Sequence, residues 1–372
     1  MITTYVIRPL SRTSKVSAAV RAFTTLNPGK PASSAPRHFL SIKDLTPTEF
    51  KTLIDNATAH KKALQSPSHD HSAWPLQNSL RGKTLPLIFS KRSTRTRISS
   101  EGAVVALGGQ PMFLGKEDIQ LGVNESLYDT SVVVSSMTAG IIARVGPHSD
   151  IADLAEHSSV PVINALCDTF HPMQIVADFA CLTQAEGCEA DGLKGKKIAW
   201  VGDANNVLYD MCIGAGKLGV EMAVATPKGY TIPEHVKKVI SEAGTKLSET
   251  TVPEEAVKDA DVIVTDTWIS MGMEAEKQDR LKAFAGYQVT EKMAERGGAK
   301  KDWKFMHCLP RKSEEVDDEV IYGPRSLVFP EAQNRLWSAI AVLEAFVVNK
   351  GEVKKTQEWQ AGQSDGEVLA GY

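Results

Sequence analysis

The sequence is poor in cysteine and lacks any paired-cysteine motif. Its 372 residues include five cysteines, an odd number with no C-x-x-C spacing and no accompanying histidine pattern. A disulfide framework and a structural zinc site are therefore not expected, and a reducing compartment fits best. No run of about 18 uncharged apolar residues is present, so we expect no membrane insertion. The net charge of −3 indicates no general attraction to nucleic acid.

The N-terminal segment differs from the rest of the chain in charge. Residues 1–43 contain no Asp or Glu but seven Lys or Arg, separated by Ser, Thr and small apolar residues. This composition is typical of a mitochondrial transit peptide, and no uninterrupted apolar stretch indicates a secretory signal. We therefore expect residues 1–37 to be a transit peptide and flexible lead-in, and the mature protein to reside in the mitochondrial matrix. A solvated, disordered tail is the alternative.

Beyond residue 40, short apolar runs alternate with longer amphipathic segments. This alternation predicts an α/β fold, and the chain length predicts two domains. We expect two doubly wound parallel-sheet domains with the active site in the cleft between them. The predicted strands span residues 84–89, 111–114, 140–145, 160–164, 197–202, 221–226, 261–266, 303–307 and 326–329. The predicted helices include residues 96–107, 125–137, 172–184, 207–218 and 332–348.

A polar stretch at residues 186–196 (EGCEADGLKGK) divides the chain into two halves. It predicts a first domain at residues 38–186 and a second domain at residues 187–340. The helix after the last predicted strand is long enough to cross to the first half. We therefore expect residues 341–372, its end and a polar tail, to pack back on the first domain.

Polar residues follow the predicted strands, where ligands bind in open parallel sheets. The segment Ser-Thr-Arg-Thr-Arg, residues 93–97, lies between a strand and a helix. Hydroxyls and free N–H groups at a helix start bind anions, and guanidinium groups suit phosphate oxygens. Arginine in the first turn opposes the helix dipole, so a merely stabilising helix would avoid it. The later strand ends carry Arg144, His171 with Gln174, Asp203 with Asn206, Asp266 with Ser270, and His307 with Cys308.

Four of these segments resemble, in the same order, the signatures of the aspartate/ornithine carbamoyltransferase family. They are Ser-Thr-Arg-Thr-Arg, Ala-Arg-Val at residues 143–145, His-Pro-x-Gln from His171, and His-Cys-Leu-Pro from His307. The similarity runs from about residue 38 to about residue 350. It implies that the first domain is the carbamoyl phosphate-binding domain. The residues that it assigns to carbamoyl phosphate are Ser93, Thr94, Arg95, Thr96, Gln120, Arg144, His171, Gln174, Cys308, Leu309 and Arg335. It also implies a homotrimer in which Gln120 reaches the neighbouring subunit's phosphate.

The segment Asp266-Thr-Trp-Ile-Ser-Met-Gly resembles the ornithine branch of the family. It supplies a carboxylate and a hydroxyl and no Lys or Arg, whereas an aspartate acceptor needs cations for its second carboxylate. The resemblance assigns Asn206, Asp266, Ser270 and Met271 to ornithine and makes the second domain the ornithine-binding domain. It implies transfer of the carbamoyl group to the side-chain amine of L-ornithine, giving L-citrulline and phosphate, as in arginine biosynthesis. Putrescine or an N-acylated ornithine is the alternative acceptor.

The expected mechanism is direct attack of a neutral amine, without a covalent intermediate, metal or organic cofactor. Arg95, Thr96 and His171 are expected to hold the carbonyl oxygen as charge develops on it. Asp266 and Cys308 are expected to orient the amine and to accept its proton.

Two further patterns suggest other functions. Residues 214–219 match G-x-G-x-x-G, a dinucleotide-binding pattern, but they fall at the end of a predicted helix rather than between a strand and a helix. We expect these glycines to permit close packing and a helix stop. Cys308 beside His307 suggests a thiol nucleophile, which we reject because neighbouring residues of a strand point to opposite faces. A non-catalytic phosphate-binding relative is disfavoured because both halves of the site are present.

Overall fold

Two parallel sheets organise the chain in the computed structural model, which describes residues 35–65, 74–119, 121, 125–269 and 274–356. The first sheet has the order β2-β1-β3-β4, with β1 (Thr84–Phe89), β2 (Gln110–Gly115), β3 (Ile141–Arg144) and β4 (Val162–Leu166). The second has the order β7-β6-β5-β8-β9, with β5 (Lys197–Val201), β6 (Glu221–Ala225), β7 (Lys246–Thr250), β8 (Val262–Val264) and β9 (Lys304–Met306). All neighbouring strands are parallel, so the predicted fold class is confirmed.

Helices connect these strands. In chain order they are α1 (Pro47–Gln65), α2 (Thr94–Ala106), α3 (Leu127–Met137), α4 (His148–His157), α5 (Pro172–Glu186), α6 (Asn206–Leu218), α7 (Glu234–Glu242), α8 (Pro253–Val257), α9 (Lys277–Ala283), α10 (Glu291–Gly297), α11 (Asp318–Ile321) and α12 (Val328–Leu343). A π-helical turn, Glu344–Val348, continues α12. No helix within the described ranges is both long and apolar enough to cross a membrane.

Local capping signals fix the helix starts that border the cleft. Ser93 caps α2, its hydroxyl accepting from the Thr96 N–H at 3.3 Å. Pro172 occupies the first turn of α5, where a backbone N–H is not needed. Asn205 caps α6 by accepting from two N–H groups of the first turn. Each cap lies a few residues after a strand, so the chain turns sharply at the edge where ligands bind.

Two strand predictions were wrong. Residues 326–329 do not form a strand, because Ser326 makes only an isolated bridge to Phe305 and α12 begins at Val328. Pro330 falls in the first turn of that helix, a position that tolerates proline. The prediction missed β7, whose sequence KLSET has no apolar run because this edge strand is largely exposed.

The helix α12 links the second sheet to the helices of the first half. It begins at Val328, four residues before the predicted start, and packs mainly against α1, α2 and α5. The Ser338 hydroxyl donates to the Met173 carbonyl at 2.7 Å, and the Gln184 amide donates to Asn334 at 2.9 Å. This packing brings side chains of α12 to the ends of the first-sheet strands.

The apolar core occupies both faces of the second sheet. Ile198 and Trp200 of β5 belong to a large core shared with α5, α6 and the first sheet. Ala199 and Val201 face the opposite way, into a smaller core that includes Phe284 and other residues of the second half. This alternation follows from the two-residue period of a strand. The shared core fixes the two sheets relative to each other and hence the width of the cleft.

Candidate active site

A hydroxyl at the start of α2 is the centre of the phosphate-side cluster. Thr96 is buried, and its Oγ1 receives hydrogen bonds from Ser93 Oγ at 3.0 Å and from Arg335 Nη2 at 3.1 Å. Arg144, the last residue of β3, approaches the same oxygen at 3.5 Å. Arg335 also donates to Gln174 Oε1. Residues from α2, β3, α5 and α12 thus converge on one point.

The two buried arginines form a cationic pocket. Burial, together with the charges of Arg335 and Arg95, lowers the pKa of Arg144 to about 10. Burial likewise lowers the pKa of Arg335 to about 10, although Asp178 opposes this effect. Both side chains remain charged at neutral pH. Their Nε atoms are buried without a hydrogen-bond partner among the described residues. Buried cations with unused donors are suited to an anionic ligand.

His171 lies beside this pocket as a neutral imidazole. Its side chain is buried, and burial together with the charges of Arg335, Arg144 and Arg95 lowers its pKa well below the ordinary value. Its Nδ1 has no hydrogen-bond partner in the described parts of the chain. A neutral ring can donate one hydrogen bond to an uncharged carbonyl oxygen without adding a fourth positive charge.

The remaining residues of the Ser-Thr-Arg-Thr-Arg segment separate into two groups. Arg95 is half-buried and donates to the Leu309 carbonyl, which brings α2 against the chain that follows β9. Thr94 is exposed in the first turn of α2. Arg97 points away, since it pairs with Glu101 at 2.9 Å and lies over the Phe113 ring.

Asp266 is the centre of the acceptor side. Its Oδ1 accepts from the Cys308 thiol at 3.2 Å and from the Thr267 N–H at 2.7 Å. Its Oδ2 accepts from the Asn205 amide at 2.7 Å. The Asn206 amide donates instead to the Cys167 carbonyl at 2.6 Å. The structure therefore places Asn205, which the sequence analysis did not select, closest to this carboxylate.

Cys308 is a neutral thiol in this setting. Burial and then the charge of Asp266 raise its pKa well above the ordinary value. The raised pKa disfavours a thiolate nucleophile, whereas the reason taken from the sequence, opposite faces of a strand, was wrong. Strand alternation does not apply to His307 and Cys308, because β9 ends at Met306. A ring nitrogen of His307, the Sγ of Cys308 and a carboxylate oxygen of Asp266 all lie within 4.8 Å of one another.

Hydrogen bonds account for this three-residue cluster. His307 Nδ1 accepts from the Leu309 N–H at 2.9 Å, so its proton is on Nε2, 3.3 Å from Glu315. Both ring nitrogens are thus engaged, and the ring holds the turn that carries Cys308 and Leu309.

A buried pair of acids behind the cationic pocket was not among the predicted site residues. The Gln174 amide donates to Asp178 at 2.7 Å and to Glu331 at 3.3 Å, and Glu331 also accepts from the His307 N–H at 2.9 Å. Burial raises the pKa of Asp178 to about 7 and that of Glu331 well above its ordinary value. The pair therefore retains a proton at neutral pH. The four-residue spacing of Gln174 and Asp178 on α5 was the available signal.

A buried ion pair supports the acceptor segment. Asp203, at the end of β5, pairs with Arg280 of α9, and Arg280 Nε donates to the Trp268 carbonyl at 2.6 Å. Burial raises the pKa of Asp203 to about 7, although Arg280 opposes this shift. The pair anchors the chain just after Asp266.

Three predicted site residues, Gln120, Ser270 and Met271, lie outside the described residues.

The G-x-G-x-x-G pattern is part of helix packing, as predicted. Gly214 and Gly216 lie inside α6, and Gly219 ends this helix in the left-handed conformation with φ of 68°. A Cβ at Gly216 would lie 2.6 Å from the Ala243 carbonyl. The pattern therefore provides no strand-to-helix turn for a pyrophosphate.

The chain matches a known protein family and its members over most of its length. Residues 37–184 match the carbamoyl-phosphate-binding domain of aspartate/ornithine carbamoyltransferases, and residues 194–346 match the Asp/Orn-binding domain. The chain is 61% identical over 361 residues to a mitochondrial ornithine carbamoyltransferase of Emericella nidulans, covering 94% of this chain and 99% of the relative. It is 52% identical over 322 residues to the mitochondrial enzyme of Schizosaccharomyces pombe, covering 86% and 96%.

Solved structures show the same relationship. A mitochondrial ornithine carbamoyltransferase from Coccidioides immitis superposes with a TM-score of 0.79 at 61% identity, covering 86% of this chain and all of that chain. An ornithine carbamoyltransferase from Pyrococcus furiosus superposes with a TM-score of 0.76 at 41% identity, covering 86% and 99%. With two family domains matched across most of its length, this chain belongs to the aspartate/ornithine carbamoyltransferase family.

Proposed function

We propose that this chain transfers the carbamoyl group of carbamoyl phosphate to the side-chain amine of L-ornithine, giving L-citrulline and phosphate. The observation that carries the proposal is the pairing of two unlike half-sites. Buried Arg144, Arg335 and neutral His171 form a pocket for an anion, and Asp266 lies on the other side of Cys308 with no Lys or Arg in residues 266–272. The relatives named above are ornithine carbamoyltransferases, which supports this choice of acceptor.

The phosphate half binds and polarises the donor. Arg144, Arg335 and the start of α2 at Ser93, Thr94 and Thr96 hold the phosphate, where negative charge grows as the C–O bond breaks. Arg95 and His171 donate to the carbonyl oxygen and stabilise the oxyanion. Gln174 orients the carbamoyl nitrogen end. Because Thr96, Arg144 and Arg335 are already buried and joined by hydrogen bonds, these groups need little reorganisation during the reaction.

The acceptor half selects and orients the amine. Asp266 meets the α-ammonium of ornithine, and Asn206 assists it from the start of α6. The Cys308 thiol and the Leu309 carbonyl face the reacting nitrogen. The neutral amine attacks the carbonyl carbon and loses a proton as the C–N bond forms, and the departing phosphate takes up that proton directly or by way of Asp266. The reaction changes no oxidation state, so it requires no redox cofactor.

Family resemblance completes the site with residues outside the described part. The resemblance assigns Ser270 and Met271 to ornithine. Gln120 of the partner subunit contacts the phosphate of its neighbour.

A site that takes Gln120 from a partner subunit implies a homotrimer. Helices α2 and α3 expose several large apolar side chains, among them Ile98 at 67% and Met137 at 70%. Tyr128, Val132 and Val133 of α3 are also exposed. Such a face on a soluble chain is suited to association with further copies of itself.

The protein acts in the mitochondrial matrix after removal of an N-terminal segment within residues 1–37. The absence of acidic residues up to position 43 and the mitochondrial relatives support this location. The carbamoyl-phosphate domain comprises residues 38–186 and the ornithine domain residues 187–340. The chain after residue 340 returns to the first domain, where Asn56 contacts Lys354 and Thr356, and residues 357–372 of the predicted C-terminal segment lie outside the described residues. The N-terminus of the protein isolated from its source tests the processing, which predicts a new first residue between about 22 and 38.

An acceptor panel tests the proposed activity. With carbamoyl phosphate and ornithine, putrescine, N-acetylornithine or aspartate, we expect carbamoylation of ornithine alone to be efficient. The rate should rise with pH through the neutral range, because the attacking amine has a pKa of about 10 by analogy with Lys. Preference for putrescine would show that the site does not read the α-amino-acid end. Carbamoyl-aspartate as the main product would overturn the acceptor assignment.

Asp266→Asn separates the two half-sites. Removing one partner of a buried charge pair costs roughly 2–5 kcal/mol, so ornithine use should fall strongly while carbamoyl phosphate binding is retained. Asp261→Asn is the matched control, because Asp261 precedes the same strand, β8, and pairs with Lys300 at the far end. Kinetics with both substrates varied would measure the effect. Equal losses in the two variants would remove Asp266 from ornithine recognition.

A further inference from the structure

Asp210 is a buried acid of α6 whose carboxylate joins three segments of the chain. Its Oδ1 accepts from Ser41 Oγ at 2.8 Å and from the Ile42 N–H at 3.1 Å. Its Oδ2 accepts from the His171 N–H at 2.8 Å. The residue is fully buried. One side chain of the second half therefore holds both the segment before α1 and the residue that carries the imidazole of the active site.

Helix α6 makes hydrogen bonds to both ends of the turn that precedes α5. The Asn206 amide donates to the Cys167 carbonyl at 2.6 Å, and four residues later on α6, Asp210 accepts from the His171 N–H. Residues 167–171 form the connection between β4 and α5. The position of His171 is thus set by the helix that also begins the acceptor side of the cleft.

The backbone of His171 is held on both sides: its N–H donates to Asp210, and its carbonyl accepts from the N–H groups of Gln174 and Ile175. Its backbone, with φ of −139° and ψ of 59°, is outside the helical region, and its side chain makes no capping hydrogen bond. The ring Nδ1 has no partner among the described residues. The hydrogen bond from the His171 N–H to Asp210 is therefore a fixed polar contact next to this ring. The ring has to point toward the ligand before the ligand binds.

Three hydrogen-bond donors surround the Asp210 side chain, and only an ionised carboxylate can accept from all of them. Burial raises the pKa of Asp210 to about 7, the hydrogen bonds from Ser41, Ile42 and His171 oppose the shift, and the charge of Asp44 adds to it. Keeping such a group buried without a cation is unfavourable for stability. An amide of the same size would avoid the charge, but its NH₂ would face an N–H or O–H donor. The carboxylate is explained by the need to accept from both sides.

We propose that Asp210 is a positioning residue, whose ionised carboxylate fixes the His171 backbone and so aims the imidazole at the carbonyl oxygen of carbamoyl phosphate. The target oxygen rests on the proposed function. Because Asp210 belongs to the second half and His171 to the first, the same hydrogen bond fixes the position of the donor side of the cleft relative to the acceptor side.

Asp210→Asn tests the proposal through turnover. We expect kcat to fall about tenfold or more, because an N–H of the amide displaces the His171 N–H or the Ser41–Ile42 donors. Ser41→Ala is the matched control, since it removes one donor from Oδ1 in the same buried network and leaves the His171 bond intact. It should lower thermal stability and keep kcat within about twofold.

A double-mutant cycle distinguishes positioning from a general structural effect. In a His171→Ala background, Asp210→Asn should lower kcat by less than about twofold, because the ring that Asp210 aims is gone. Independent losses that multiply would overturn the proposal. The cycle can be run on whichever amine the wild-type protein carbamoylates, so a wrong acceptor would not affect it.

A spectroscopic measurement on the wild-type chain applies even if Asp210→Asn does not fold. With ¹⁵N-labelled histidine, the His171 amide proton should resonate far downfield because it donates to a charged oxygen. It should move upfield as the pH falls from about 8 to about 6, since protonation of Asp210 weakens the acceptor. An amide resonance that is unshifted and independent of pH would contradict the proposal.

Discussion

Two arginines of one helical turn behave differently because their surroundings differ. Arg95 and Arg97 are both in the first turn of α2, with similar sequence neighbours. Arg95 turns into the cleft and donates to the Leu309 carbonyl, whereas Arg97 pairs with Glu101 and covers Phe113. Of the two, only Arg95 therefore faces the proposed carbamoyl phosphate site.

Arg95→Lys should abolish most of the turnover with the fold intact. Lysine keeps the charge but loses the planar fork, which lets one guanidinium contact phosphate and carbonyl oxygens together. We expect kcat to fall on the order of a hundredfold. Arg97→Lys provides the control at the same helical turn and should change kcat by less than about twofold. Near-normal turnover of purified Arg95→Lys would exclude Arg95 from the mechanism.

At the scale of elements, α6 shows how a short pattern depends on its position. Its glycines allow the helix to approach neighbouring chain closely, because side chains at Gly214 would meet Phe179 and Phe50 at 3.0 Å. Gly216 lies against the turn at residues 243–245. The same letters at a strand-to-helix turn would have indicated a dinucleotide site.

Gly216→Ala should therefore reduce stability and leave catalysis unchanged. Overpacking of this kind costs about 1–3 kcal/mol, which chemical unfolding can measure. Gly146→Ala is the control, since a Cβ there meets nothing within 4 Å, and it should alter stability by less than about 0.5 kcal/mol. Binding of NADH by the wild-type chain that disappears in Gly216→Ala would contradict the packing interpretation.

Several of the large apolar residues that are exposed in the described part of the chain lie on α2 and α3. Met137 at the end of α3 is the most exposed of these, and Val133 lies one turn before it. A charge placed there would be buried in the proposed trimer without a partner.

We expect Met137→Glu, alone or with Val133→Glu, to convert a trimer into monomers, as measured by light scattering. Val252→Glu is the control, because Val252 is a partly exposed apolar residue outside α2 and α3. Activity should fall with the trimer, since Gln120 of the partner subunit would no longer reach the phosphate. A monomeric wild-type protein, or a trimer that tolerates both charges, would contradict the proposed assembly.

The local sequence determined the fold class and most of the residues that meet in the cleft. Buried parallel strands are continuous apolar runs, and caps such as Ser93 and Pro172 mark where the chain turns into a helix. Because parallel strands share one carboxyl edge, residues that follow separate strands had to approach one another. Arg144, His171 and Asp266 could be selected for this reason alone, before any contact was known.

Tertiary structure decided the contacts that join distant segments. Ser41 and Asp210 are 169 positions apart, and Gln174 and Glu331 are 157 positions apart, so no local pattern could pair them. The same holds for Asn205 rather than Asn206 lying against Asp266, which depends on how the cap of α6 meets β8. The exposed edge strand β7 lacked the apolar run that burial imposes. Burial also set the neutral states of His171 and Cys308, because a pKa depends on the surroundings that only packing creates.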